Sequence, residues 1–535
     1  MKSKKLFFGV TLTVLLSGSM VAAQEKPAAP ERLGTVHFPV SCSQAAQQEF
    51  NRAVALLHSF AFDPSTKAFA TITQMDPTCA MGHWGEAMAL LFSPNPFVGT
   101  PTPKGLQDGC PVIDRAKAAA PKTQRERDYI GAVESLCRDR DKADQRARLV
   151  AYEEAMERLS RTYPEDREAA IFYALALNIT ASPADKTYTN QLKAAGILEK
   201  VFGEQPNHPG VAHYLIHSYD YPPIASRGLS AARRYAGIAP AAPHALHMPS
   251  HIFTREGFWQ ESIESNLVSA AAAKNHFDQL HAMDYLAYAY LQTAQDVAAK
   301  RVLDGARDIR KVTPEHFVTG YALAAVPARY VLERRHWADA ASLVLHPADF
   351  PWDRFPQSEA VLVFARALGA ARSGNAAGAR KDIARLEALR DALAAAKQGY
   401  WAEHAEIQRQ VVTAWVERAE GRNDEALRLL RAAADREDAT EKHPVTPGPI
   451  VPARELLGEM LFELGNPGQA LKEFEASHRL EPNRFRGLYG AAKAAERSGD
   501  RDKARLYYTK LLDLCREADT ARPEIAEARN FLTKG

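Results

Sequence analysis

GNPGQALKEFEASHRLEPNRFRGLYGAAKAAERSGDRDKARLYYTKLLDL, residues 465–514, is the stretch that decides the fold. Gly465, Ala470, Phe474 and Ser477 return 34 residues later as Gly499, Ala504, Tyr508 and Leu511, with Glu481-Pro482 breaking the chain between them. Leu457-Gly458 and Leu461 stand ahead of the first unit at the matching earlier places. Small residues at fixed offsets let two helices cross closely, and large apolar ones fill the groove to the next pair. Working upstream, the Gly-x4-Ala punctuation recurs at Gly421/Ala426 and Gly374/Ala379. Leu286-Ala287, Tyr290, Ala299, Leu303 and Ala306 fit it again, and Ala338 to Ala341 fit it loosely. A fixed period of this size is the mark of stacked helical hairpins, so an all-α solenoid is expected.

The period and its small and large positions resemble the tetratricopeptide repeat (TPR). That resemblance implies a right-handed superhelix of stacked TPR-like helical hairpins. Between the repeats lie Pro-rich breaks at 93–103, at 346–356 around Trp352, and at 443–452. Proline cannot continue a helix and pushes the preceding residue into an extended conformation, so these read as long loops.

The histidines carry the second pattern. His213 and His217 stand one helical turn apart, as do His247 and His251, and each pair member is 34 residues from its counterpart. One more period from His247 reaches His281, with Tyr285 a turn later. In tetratricopeptide proteins these register positions face the concave groove, so the resemblance implies two imidazole rows along an inner wall. Two His at i and i+4 share a helix face and can chelate a divalent transition metal, and His213, His217, His247 and His251 would supply four nitrogens. Asp220, Asp284 or Glu256 would then act behind the ligands. The same rows, with Tyr285 and Asp284, can also hold a peptide or small ligand without metal, or simply pack. Pro249 lies inside the second pair, so that helix is expected to kink or to begin late, and a kink would rotate one ring relative to the other. His244 follows Pro243 at a helix start and is the weaker candidate. His316 is one residue out of register, and His58 and His83 read as core residues.

Charge and processing bound the rest. The 535 residues carry 67 Lys+Arg against 65 Asp+Glu and are 46% hydrophobic, a balance that excludes wholesale disorder and argues against nucleic acid as partner. Lys2, Lys4 and Lys5, the apolar run from Leu6 to Leu16 and Val21-Ala22-Ala23 read as an export signal over 1–23. Its loss moves the formal charge from +2 to −1, and no later run reaches the ~20 apolar residues of a membrane span. A periplasmic or secreted protein is expected, with a flexible lead-in over 24–36. An oxidising compartment allows disulfides within a helical region over 37–140. Cys42, Cys79, Cys110 and Cys137 allow three connectivities that sequence alone does not choose between. Sequential pairing of Cys42 with Cys79 and Cys110 with Cys137 is the preferred one, and four buried free thiols are the alternative. Residues 141–440 form the central superhelix, and 441–535 the last Pro-rich loop and repeats.

Longer strings are similar to a family of exported bacterial tetratricopeptide proteins of unassigned activity. They are Val40-Ser41-Cys42-Ser43, FNRAVALLH at 50–58, HYLIHSYDY at 213–221, HALHMPSHIFTR at 244–255 and EKHPVTPGPIVPARELL at 441–457. The resemblance implies architecture and export and names no reaction. No phosphate loop, dinucleotide fingerprint, nucleophile elbow or His-Glu-x-x-His string is present. The reading is a periplasmic repeat protein that binds a protein or peptide partner, or a ligand, in a His-lined groove. A metal-dependent hydrolase or metal-handling protein using the same histidines is the alternative.

Overall fold

The computed structural model describes residues 31–138 and 144–534. The export signal and residues 24–30 of the lead-in lie outside them. Among the described residues every regular element is helical, and those from Arg32 onward form one compact unit. The segment limits at 140 and 440 therefore divide a continuous stack. Antiparallel hairpins follow one another in it as tetratricopeptide-like pairs, ending in Ala453–Glu463 with Pro467–Leu480, Phe485–Arg497 with Arg501–Leu514, and a closing helix Pro523–Thr533. None of the described helices is long and apolar enough to cross a membrane.

The punctuation that marks the period has two physical causes. Gly465 and Gly499 each follow the first helix of a pair with φ of 78° and 80°. Only glycine enters that left-handed region without a Cβ penalty, so the chain can leave one helix and start the next across three residues. Gly458 sits at the crossing, where a Cβ would stand 2.9 Å from the Phe474 ring. Phe474 itself is 2% exposed.

Two disulfides close the N-terminal region as expected. Cys42 and Cys79 bracket the hairpin Gln44–His58 and Phe62–Met75, which returns their Cα atoms to 5.0 Å, and Cys110 bonds Cys137 at 5.6 Å. Cys515 is buried and free in the last full repeat.

The lead-in departs from expectation in its described part. Thr35 N–H donates to the Asn207 carbonyl at 2.9 Å, Ala241 N–H donates to the Arg32 carbonyl, and Leu33 and Val36 are buried. A strap with two apolar anchors and backbone hydrogen bonds is docked rather than flexible.

Candidate metal centre

Three helices in consecutive repeats carry the histidines: Pro209–Tyr219, the pair Pro243–His247 and Pro249–Glu256, and His276–Gln292. Each of the first two starts on a proline, whose fixed φ suits the first helical position and whose missing N–H is not needed there. Every residue from Pro209 to Tyr219 and from Leu280 to Gln292 is buried. Such helices run through the middle of the molecule, not along its surface.

The groove expected along this wall is not open, because the chain fills it with its own segments. Phe60, at the end of the first helix, lies 4.3 Å from the His213 ring and stacks on His217 and His244. Its φ of 52° is rare for a bulky residue and is held by those contacts. Phe97, from the loop 93–103, stacks on His217 at 4.2 Å. Lys442, at the head of the 443–452 loop, reaches Asp220 at 2.5 Å. The 346–356 loop takes no part, since Trp352 packs on Phe350 and donates to the Pro347 carbonyl. His213, His217, His247, His251 and His281 are consequently no more than 6% exposed.

Inside the hollow the imidazoles form two groups of three, His213/His217/His244 and His247/His251/His281. In the first, Nε2 of His217 and Nε2 of His244 each lie 3.2 Å from Nε2 of His213. His213 Nδ1 donates to the His58 carbonyl at 2.6 Å, so its neutral ring has no proton left for Nε2. Burial pushes its pKa down to about 3, and the ring is neutral.

The second group is more constrained. His247 Nδ1 donates to Asn266 Oδ1 at 2.6 Å, and the amide is fixed in that sense because Asn266 Nδ2 donates to the Ser262 carbonyl. His251 Nδ1 donates to Asp220 Oδ2 at 2.8 Å. Both ring protons are thus committed, yet the two Nε2 atoms face one another at 3.0 Å. Burial pushes the pKa of His247 down to about 4 and that of His251 well below 6.5, with Lys442 repelling the proton as well. Neither ring takes up the second proton that a hydrogen bond between them would need. Two buried lone pairs facing one another at 3.0 Å are an arrangement that a bound cation would satisfy.

Distances and supports suit a transition metal. Two nitrogens bound to one tetrahedral zinc at 2.0–2.1 Å stand about 3.3–3.4 Å apart, close to the separations found here. A carbonyl, an amide and a carboxylate hold the far nitrogens of His213, His247 and His251, which is how metal-bound imidazoles are oriented and kept basic. The rings of His217 and His251 are 6.0 Å apart and those of His244 and His247 6.1 Å, so the two groups are neighbours.

Other expected residues fall differently. The break at Pro249 splits the helix but does not turn His247 from His251, since Met248 keeps helical φ and ψ across it. His244 joins the first group. Tyr285 packs edge-on against His247, with its hydroxyl 3.4 Å from both nitrogens of His251, a neighbour over the ring rather than a hydrogen-bond partner. Asp284 is not among the imidazoles: Arg329 Nε binds its Oδ1 at 2.9 Å, a pairing over 45 residues that no local pattern announces. Glu256 is half-buried. His316 caps the helix Phe317–Glu333 outside both groups.

A third cluster serves as contrast. Glu168 accepts from Nε2 of both His58 and His208 at 2.9 Å, Tyr214 O–H donates to His58 Nδ1, and Val211 N–H donates to His208 Nδ1. Every nitrogen is satisfied, and this network needs no ion. His58 is therefore a core residue, though a hydrogen-bonded one. Burial pushes Glu168 up, but the two histidines outweigh it and hold the carboxyl at about 2.

No protein-family model and no curated protein matches the chain. Solved structures similar to it are helical repeats. The human IFIT1 dimer with m7Gppp-AAAA is 12% identical over 81% of this chain and 90% of that one, at a TM-score of 0.39. A tetratricopeptide repeat protein from Parabacteroides merdae is 13% identical over 54% and 98%, at 0.28. The P58(IPK) TPR domain is 11% identical over 92% and 99%, at 0.23. By its own helix pairing and its 34-residue period, this chain is a tetratricopeptide-like helical-repeat protein.

Proposed function

We propose that the chain is a binding scaffold whose repeat interior holds divalent transition-metal ions, zinc or copper, on six histidines. The observation that carries this reading is the pair of Nε2 lone pairs of His247 and His251 at 3.0 Å with both Nδ1 protons engaged elsewhere. His281 completes that group, and His213, His217 and His244 offer a second. Purely nitrogen donors suit zinc, copper, iron or nickel and disfavour magnesium and calcium. Export to an oxidising compartment belongs to the same proposal, supported by the N-terminal string and the two disulfides. A protein or peptide partner would then meet the outer faces of the repeats, since the inner wall is covered.

Metal handling is favoured over hydrolysis, because the histidines are sealed behind Phe60, Phe97 and Tyr285. The test is metal analysis of tag-free protein after dialysis against a weak chelator. One to two equivalents of zinc or copper are expected, and the double variant His247→Ala/His251→Ala should lose at least one of them while its circular dichroism stays helical. Protein that carries no metal, and whose melting temperature does not rise when zinc or copper is added back, would overturn the reading.

A further inference from the structure

A cavity of about 180 Å³ lies beside Lys442 and Arg255, outside the two histidine groups. Its walls come from the helices Phe317–Glu333, Pro356–Arg372, Gly399–Ala419 and Asn423–Ala439 and from the Pro-rich loop. Tyr321, Phe364, Tyr400 and Trp401 bring aromatic rings to it. The rings of Tyr400 and Trp401 stand 5.0 Å apart, that of Tyr321 is 5.9 Å from Trp401, and His443 stacks on Trp401 at 4.9 Å. The loop is tied down as well. Arg329 donates to the carbonyls of Gly448 and Pro449, and Arg255 donates to that of Pro447. This is a preformed pocket, as small-molecule sites usually are.

Its charges balance except at one residue. Lys442 holds Asp220, Arg255 holds Glu481, Arg454 holds Asp438 and Lys186 holds Glu441, each within 3.3 Å. Glu437 also lines the cavity, is half-buried, and forms no ion pair among the described residues. Its Oε2 accepts from the Ala453 N–H at 2.6 Å, while its Oε1 makes no hydrogen bond among them. Burial and the carboxylates of Asp438, Glu481 and Glu455 outweigh that N–H and push the group up to about 8. Near pH 7 it therefore keeps a proton that a bound cation would displace. Two further acceptors on the walls, Gln357 Oε1 and Gln408 Oε1, are enclosed by the protein and do not face the cavity. A primary ammonium would bring three N–H donors to the one free carboxylate oxygen. A quaternary ammonium has no donor to satisfy and is attracted to the faces of Tyr and Trp rings.

We infer that this cavity is a second binding site, for a small quaternary ammonium compound held among the rings of Tyr321, Phe364, Tyr400 and Trp401 with Glu437 as its counter-ion. The volume sets the size: a dry apolar cavity of ~150 Å³ takes one benzene, so this one accommodates a trimethylammonium head with a short arm. The site is independent of the metal reading and is tested separately from it.

The probe is choline, titrated into the full chain by isothermal calorimetry near pH 7. It should bind with one-to-one stoichiometry and displace the Glu437 proton, so that the heat changes with the ionisation enthalpy of the buffer. Ethanolamine, the primary ammonium, and 3,3-dimethylbutan-1-ol, the uncharged isostere, should bind at least tenfold more weakly. Glu437→Gln keeps the acceptor for Ala453 and removes the charge, and should weaken choline at least tenfold with an unchanged melting curve. If that variant does not fold, choline against its uncharged isostere in the unaltered chain decides the matter. Absence of choline binding at millimolar concentration would overturn the inference. So would equal binding of either counterpart, heats that do not change with buffer, or undiminished choline binding by folded Glu437→Gln protein.

Discussion

Asn266 shows how much one side chain decides. Its amide accepts the His247 Nδ1 proton while donating to the Ser262 carbonyl, and so leaves Nε2 of His247 as a lone pair. Asn266→Leu should lower metal affinity 10- to 100-fold, the usual cost of losing a partner behind a metal ligand, with the helical signal unchanged; competition against a chromophoric chelator reads this directly. Glu168→Gln makes the opposite case. One face of the new amide would present N–H to a histidine N–H, which costs about 1–3 kcal/mol by urea unfolding while metal content stays the same. At this scale the i, i+4 spacing and the 34-residue step made His213, His217, His247, His251 and His281 legible. His244 was undervalued because a proline before a histidine suggests a frayed helix start, whereas the repeat packs that start into the interior. Asp284 misled for a related reason. A carboxylate one turn from a histidine row looks available until Arg329 arrives from another repeat.

At the scale of the helical pair, what could be read was the period, because crossing helices and left-handed exits demand glycine at fixed places. Gly458→Ala puts a methyl 2.9 Å from the Phe474 ring. The crossing must widen, and the expected loss is about 1–3 kcal/mol, read as a lower denaturation midpoint with metal content intact. The helix breaks at Pro249 and a new one starts there, but the consequence was misjudged. Proline at the first position of a new helix interrupts the hydrogen-bond ladder while leaving the helical path continuous, so both rings still meet.

For the whole molecule, the covering of the inner wall was not legible. Phe60, Phe97 and Lys442 reach the histidines from segments more than 100 residues away, and a repeat pattern describes neighbours only. Covering has a consequence for stability. Burial pushes His316 and His404 down to about 4 and His443 down to about 3, whereas an unfolded chain titrates near 6.5. Because the folded pKa values are depressed, the stability these groups confer is complete above pH 6.5 and is lost as the pH falls toward 3–4. Between pH 6.5 and 5.5 the loss should be about 1 kcal/mol per histidine, visible as a falling urea midpoint. A midpoint that is flat or rises over this interval would contradict the burial of these rings.

The most direct test of the metal reading is an anomalous diffraction map from crystals of tag-free protein, collected on both sides of the zinc and copper edges. The account predicts an edge-specific peak about 2.0–2.1 Å from Nε2 of His247 and Nε2 of His251. A crystal soaked in excess zinc or copper that shows no peak between those two nitrogens would contradict it.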